Sequence, residues 1–188
     1  MAPKVKVIIK DKRRQFDDII KRYRQMDEAF VEVGVLKGAG KRGAEQDHPG
    51  NKKRGEDPKK KTTIGEIAFY NEFGATGAGR SRNVTIPERS FIRSTFDENK
   101  RDLARDRDGL VKQILQRKVT VKTALRTLGF KLQQLIKNKI NDGVPPPNEP
   151  STNAKKMRGS LRGPGATLID SGTLLGAITY RVRMGDEL

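Results

Sequence analysis

Residues Ile64 to Phe96 read IGEIAFYNEFGATGAGRSRNVTIPERSFIRSTF. Thr63 and Glu66 have the Thr-x-x-Glu spacing of a capping box, which predicts a short helix starting at residue 64. The helix ends near Gly74, because glycine readily takes the positive φ that lets a chain turn out of a helix. Residues 75–83 are rich in Gly and Arg without apolar periodicity and read as a flexible loop. Phe73 and Phe91 stand as anchors on either side of that loop, by core packing or as contacts to a neighbour. Pro87 stiffens the return, and Arg89 offers a planar fork suited to a two-pronged bond to a carboxylate.

Downstream, Ile92, Phe96, Leu103, Leu110 and Ile114 form a broken apolar stripe in a charged segment, which predicts a long, partly buried helix. Thr120 can cap a clearer helix whose stripe is Leu125, Leu128, Leu132, Leu135 and Ile136. Asn141-Asp142-Gly143 with the prolines that follow is a C-terminal stop. Residues 144–167 read as a Pro/Gly-rich insert. Asp170 or Ser171 can then cap one or two helical turns, and residues 178–182 alternate as a closing strand.

Upstream, Val5, Val7 and Ile9 suggest a short half-buried strand. Phe16, Ile19, Ile20, Tyr23 and Met26 recur at spacings of three and four, one face of a helix within residues 11–28. Residues 30–36 return to period two and β-branched side chains, a second strand. Residues 38–62 are polar and basic with no apolar period and read as a flexible surface arm. The order of elements predicts a single α+β domain over residues 1–188. Its small, mostly antiparallel sheet packs against two or three helices and carries long flexible inserts.

Composition narrows the chemistry. The 188 residues suffice for one sizeable core, and 34% hydrophobic against 34% charged residues with no Trp suits a modest core carrying solvated arms. The net charge of +17 attracts nucleic acid, anionic membranes or acidic proteins without choosing among them. The chain has no Cys and a single histidine, His48, so disulfides, thiolate sites, multi-His metal sites and most His-assisted triads are excluded. No apolar run approaches the roughly 20 residues of a membrane helix, and residues 1–14 do not form a signal peptide. A soluble protein made inside the cell is expected.

Gly38-Ala39-Gly40-Lys41-Arg42-Gly43 matches G-x-G-x-x-G, but no helix is predicted to open there to face a pyrophosphate, so it reads as a Gly-rich loop. Lys52, Lys53, Arg54, Lys59, Lys60 and Lys61 form the densest basic cluster. They are candidates for contact with DNA phosphates or an acidic partner, without base selectivity because no aromatic residue lies among them. The carboxylates Glu66, Glu72, Glu88, Asp97 and Asp170 read as helix caps and ion pairs rather than a catalytic pair, with Glu88 placed to complete a capping box with Thr85. No catalytic residue, cofactor site or metal site is expected, and the chain does not read as an enzyme.

Three pieces in order resemble the neck and tail-completion proteins of tailed bacteriophages. They are the strand Val31-Glu32-Val33-Gly34-Val35-Leu36, the segment from Ile67 to Gly74 joined to Ile86–Arg93, and Leu168-Ile169-Asp170-Ser171-Gly172-Thr173-Leu174 with Ile178 opening the last strand. Ser90, Ser171 and Ala177 depart from the resembled pattern, where proline, threonine and serine are common. The two inserts are also longer than usual. The resemblance implies a structural virion protein that caps the tail or joins it to the head connector. It implies a ring of about six or twelve subunits around the DNA channel, assembled in the host cytoplasm. The implied partners are further copies of the chain, neighbouring neck, connector or tail-tube proteins, and genomic DNA through non-specific contact, with no membrane. Candidate subunit-interface residues are Glu72, Phe73, Gly74, Pro87, Arg89, Phe91, Asp170, Gly172 and Leu174. The alternative left by the charge is a stand-alone basic DNA-binding protein.

Overall fold

Along the chain run helix α1 (Arg13–Asp27), strand β1 (Phe30–Val35), helix α2 (Ile64–Phe73), strands β2 (Ala75–Ala78) and β3 (Val84–Ile86), and helices α3 (Arg93–Leu115) and α4 (Val121–Asp142). Short helices α5 (Pro150–Lys156) and α6 (Thr173–Ala177) precede the last strand, β4 (Ile178–Arg183). The computed structural model describes residues 13–36, 62–78, 83–157 and 166–185. The strand expected over 5–9, the glycine spacing at 38–43, His48 and the basic cluster from Lys52 to Lys61 lie outside the described residues, as does all of the 38–62 insert except Thr62.

The architecture is α+β, with two small antiparallel sheets among the described residues. β1 and β4 pair from Phe30 opposite Arg183 to Val35 opposite Ile178, so the two β-branched runs from opposite ends of the chain become one ribbon. α4 lies across that ribbon. A Cβ at Gly129 would stand 2.7 Å from both Tyr180 Cδ2 and Val31 Cγ2, so the missing side chain is what lets the helix approach the sheet. One turn later Gln133 Nε2 donates to the Ile178 carbonyl at 2.8 Å.

The main core gathers Phe91, Ile136, Ile140, Ile169 and Ile178, with Ala68, Val144 and Leu174 at its margin. A second cluster of Ile114, Val121 and Ala124 closes the turn between α3 and α4. Two caps expected from sequence are present. Thr63 and Glu66 form a reciprocal capping box at α2, and the Thr120 hydroxyl accepts from the Thr123 N–H at 3.2 Å at α4.

Four expectations are corrected. Residues 75–83 are not all loop, because β2 and β3 pair as a short hairpin within and just beyond them. The 144–167 insert contains α5, with Pro150 at the helix start where its lack of an N–H costs nothing. Glu88 does not cap with Thr85, which lies within β3; its carboxylate accepts from Arg93 Nη2 at 2.6 Å. α6 has Gly172 at its N-cap, at φ 75°, and no side-chain cap bond, while Ser171 Oγ bonds Thr173 Oγ1.

α1 turns most of its apolar face outward. Only Met26 of its expected stripe reaches the second core cluster. Phe16 and Tyr23 are 64% and 60% exposed, and Ile19 and Ile20 are also exposed. α1 is instead held through the row Asp18, Arg22 and Met26. Asp18 pairs with Arg22 at 3.0 Å and Arg117 at 2.9 Å, and Arg22 Nη1 donates to the Ile114 carbonyl at 3.2 Å. The Arg22 hydrogen bond, helped by Arg117, holds the Asp18 carboxyl below its ordinary range. At about 100° per residue, this row lies roughly 110° around the helix from the apolar stripe, which is left facing outward.

Candidate interface at the α2–α3 junction

α2 reverses the usual arrangement of a surface helix. It buries Ala68 and Glu72 and exposes Phe69, Tyr70 and Phe73. The reason is the neighbouring end of α3. The first N–H groups of any helix lack partners within it, and Ile92, at the N-cap of α3, provides no side-chain bond. Glu72 provides the acceptors from α2. Its carboxylate receives the backbone N–H groups of Phe91 (2.8 Å), Ile92 (2.9 Å) and Arg93 (2.9 Å), the Ser90 hydroxyl (2.8 Å) and Arg93 Nε (3.2 Å). A negative charge at the positive end of a helix is also favoured by the aligned peptide dipoles. Burial pushes the Glu72 carboxyl up, but the N–H groups of Ile92 and Arg93, the Ser90 hydroxyl and the Phe91 N–H together hold it below its ordinary 4.5.

Ser90, where the resembled pattern carries proline, therefore has a specific partner that a proline could not reach. The next residues are equally engaged. Arg89 is buried, and its expected two-pronged bond is made to a different target. Nε and Nη2 donate to the carbonyls of Pro146 (2.8 Å) and Pro147 (3.1 Å), just beyond α4. Its backbone N–H donates to Asn71 O at 2.7 Å. Burial lowers the proton affinity of Arg89, while the charge of Glu149 opposes that fall. The segment it grips is stitched further by Val144 N–H to Thr167 Oγ1 (2.8 Å), Asn148 Nδ2 to Ala166 O (3.1 Å), and Lys156 Nζ to the carbonyls of Ala166 and Ile169.

Outside this frame stands a ridge of aromatic rings. Phe69 and Phe73 are 4.9 Å apart between centroids, and Tyr70 meets the edge of Phe69 at 6.1 Å. The Arg93 guanidinium lies 4.5 Å from the centre of the Phe73 ring while bonding Glu88 and the Glu72 carbonyl, so Phe73 is clamped on two sides although half exposed. Beside the ridge runs an open groove of about 530 Å³ between α2 and the β2–β3 hairpin, lined by Ile67, Tyr70, Ala75, Ala78 and Ile86 among others. Gly74 makes the corner between them. Its φ is 73°, and a Cβ there would come within 3.1 Å of Glu88 N and 3.2 Å of Ile86 O, so glycine is required twice over.

The nine candidate interface residues thus divide by position. Phe91 is fully buried in the core, Leu174 is buried at its margin, and Glu72 and Arg89 are buried in polar networks. Gly74 and Pro87 are half-buried at the ends of the hairpin, and Gly172 is half-buried at the start of α6. Phe73 and Asp170 are exposed. Two features escaped sequence reasoning: the role of Glu72 as a cap delivered across elements, and the exposed ridge. A signal was available, since Glu72 follows Ala68 by four residues and so shares its face. Among the described residues no group of three His, Cys, Asp or Glu side chains could hold a metal ion, and no helix is long and apolar enough to cross a membrane.

The three resembling segments, far apart in sequence, meet in one place. Val33 and Val35, Ala68 and Phe91, and Ile169 and Leu174 all belong to the main core cluster or pack against it. No protein-family model, curated protein or solved structure matches the chain.

Proposed function

We propose that this chain is a structural virion protein of the phage neck or tail junction, a tail-completion or head–tail joining component that assembles as a ring around the DNA channel. The observation that carries this reading is the inverted α2. A helix that buries one of its two carboxylates, Glu72, and holds three aromatic rings outward on a rigid base is built to meet another protein surface. The convergence of the three resembling segments beneath that ridge supports the same reading. The reading is non-enzymatic, needs no cofactor, and places the protein in the virion after assembly in the host cytoplasm. Its partners are further copies of itself, adjacent neck, connector or tail-tube proteins, and genomic DNA in passing.

The net charge of +17 favours the second reading, a basic DNA-binding protein. The two are separated by solution mass at low and physiological salt with negative-stain imaging, followed by duplex titration across salt. Rings of about six or twelve subunits with weak binding to free duplex at physiological salt support the junction role. A monomer whose duplex affinity falls steeply with salt supports the alternative.

A further inference from the structure

Charge is unevenly divided between α3 and α4. Residues 93–108 hold five basic and five acidic side chains, whereas residues 109–141 hold eight basic ones and no Asp or Glu. Three of the eight are neutralised from α1 and α3: Arg117 by Asp18, Lys131 by Asp106 and Lys139 by Glu98. The other five, Lys112, Lys118, Lys122, Arg126 and Lys137, pair with no carboxylate among the described residues. Lys137 is half-buried and the other four are exposed. We infer that the outer face of α4, with the α3–α4 turn at its end, is the surface that meets the DNA backbone, through sequence-independent contact with phosphates.

The side chains on this face suit a polyanion. At about 100° and 1.5 Å per residue, Lys122, Arg126 and Lys137 fall within about 60° of one another around α4 and span about 22 Å along it. A duplex presents a phosphate about every 3.4 Å along each strand, so a row of that length can meet several. Gln134, Asn138 and Asn141 lie beside the row, and their amides can donate to phosphate oxygens without reading bases. The face lacks the apolar cluster that anchors a protein partner: Phe130 is its one large, mostly exposed apolar side chain, whereas α2 holds three aromatic rings outward. An acidic neighbour could also meet the five cations, but a row of basic and amide groups with one exposed ring fits a phosphate backbone better. The inference rests on the proposed reading in taking genomic DNA as a partner, and it holds for a ring or a single subunit.

The test titrates the full-length protein with a labelled duplex of arbitrary sequence from about 50 to 200 mM salt. Beside it stand the variant Lys122→Gln/Arg126→Gln/Lys137→Gln and a control of equal charge change on α3, Arg101→Gln/Arg105→Gln/Arg107→Gln. The α4 variant should bind about tenfold or more weakly at about 50 mM salt, and its slope of log affinity against log salt should shrink by about 2–3. The α3 control should lose about threefold or less, since it changes net charge without touching the row. Arg126→Gln alone should shrink the slope by about one, which keeps the test intact if the triple variant unfolds. Equal losses from the α4 variant and the α3 control would place the contact elsewhere and overturn the inference. So would an unaltered protein that binds no duplex at about 50 mM salt, or one that binds polyglutamate more tightly than duplex, which would mark an acidic protein surface. Solution mass of the same samples separates this from the ring reading. A monomer whose duplex binding depends on α4 overturns the ring and leaves the inference standing, and a ring with equal losses does the reverse.

Discussion

Helices α1 and α4 carry apolar residues at the same spacing and end in opposite environments. On α4, Ile136 and Ile140 are fully buried, while on α1 Phe16 and Tyr23 are mostly exposed. The difference lies in what else each helix offers. α4 has Gly129, which admits the β1–β4 ribbon to close range, and Gln133, which reaches the Ile178 carbonyl. α1 is held by a polar row on another face, so its stripe is turned away from the subunit's own core. An apolar period states that a face favours cover; it does not state what covers it.

That contrast can be broken or sharpened by substitution. The largest effect is expected in the core: Ile136→Ala should cost about 3–4 kcal/mol in chemical unfolding. A cost near that of a surface change would mean α4 is no better packed than α1. Glu72→Gln should cost about 2–3 kcal/mol, because an amide is left among donors that a carboxylate satisfies. Since the Glu72 carboxyl titrates lower folded than its ordinary 4.5, its contribution is fully present above that pH and is lost as pH falls through the folded value. Glu72→Gln should therefore flatten the acid limb of the stability profile, and parallel acid limbs would contradict the capping role. Gly129→Ala should cost about 1–2 kcal/mol through collision with Tyr180 and Val31, even after the roughly 1 kcal/mol that alanine gains in helix propensity. Ile20→Ser should change subunit unfolding by no more than about 0.5 kcal/mol. A loss near that of Ile136→Ala would show that α1 is part of the core after all.

Much of the fold was legible because local and tertiary preferences agree there. The Thr63–Glu66 box, the Thr120 cap, the Gly74 exit and the β-branched runs at 30–36 and 178–182 each specify one local conformation, and the packing uses it. The hairpin was less legible because Ala75 to Ala78 has little strand preference; its pairing follows from where Gly74 and Pro87 direct the chain. The junction was legible only in part. The fork of Arg89 was foreseen, but its targets are backbone carbonyls of Pro146 and Pro147, and a carbonyl has no sequence signature. The Glu72 cap joins residues 18 to 21 apart in sequence, beyond the reach of a local motif. The outward ridge on α2 follows in part from that cap, since turning Ala68 and Glu72 inward turns Tyr70 and Phe73 out.

The most direct test of the account is the solution mass of the full-length protein at physiological salt. The account predicts a closed multiple of the 21.0 kDa subunit, about six or twelve copies. A protein that stays at 21.0 kDa at every concentration would contradict it.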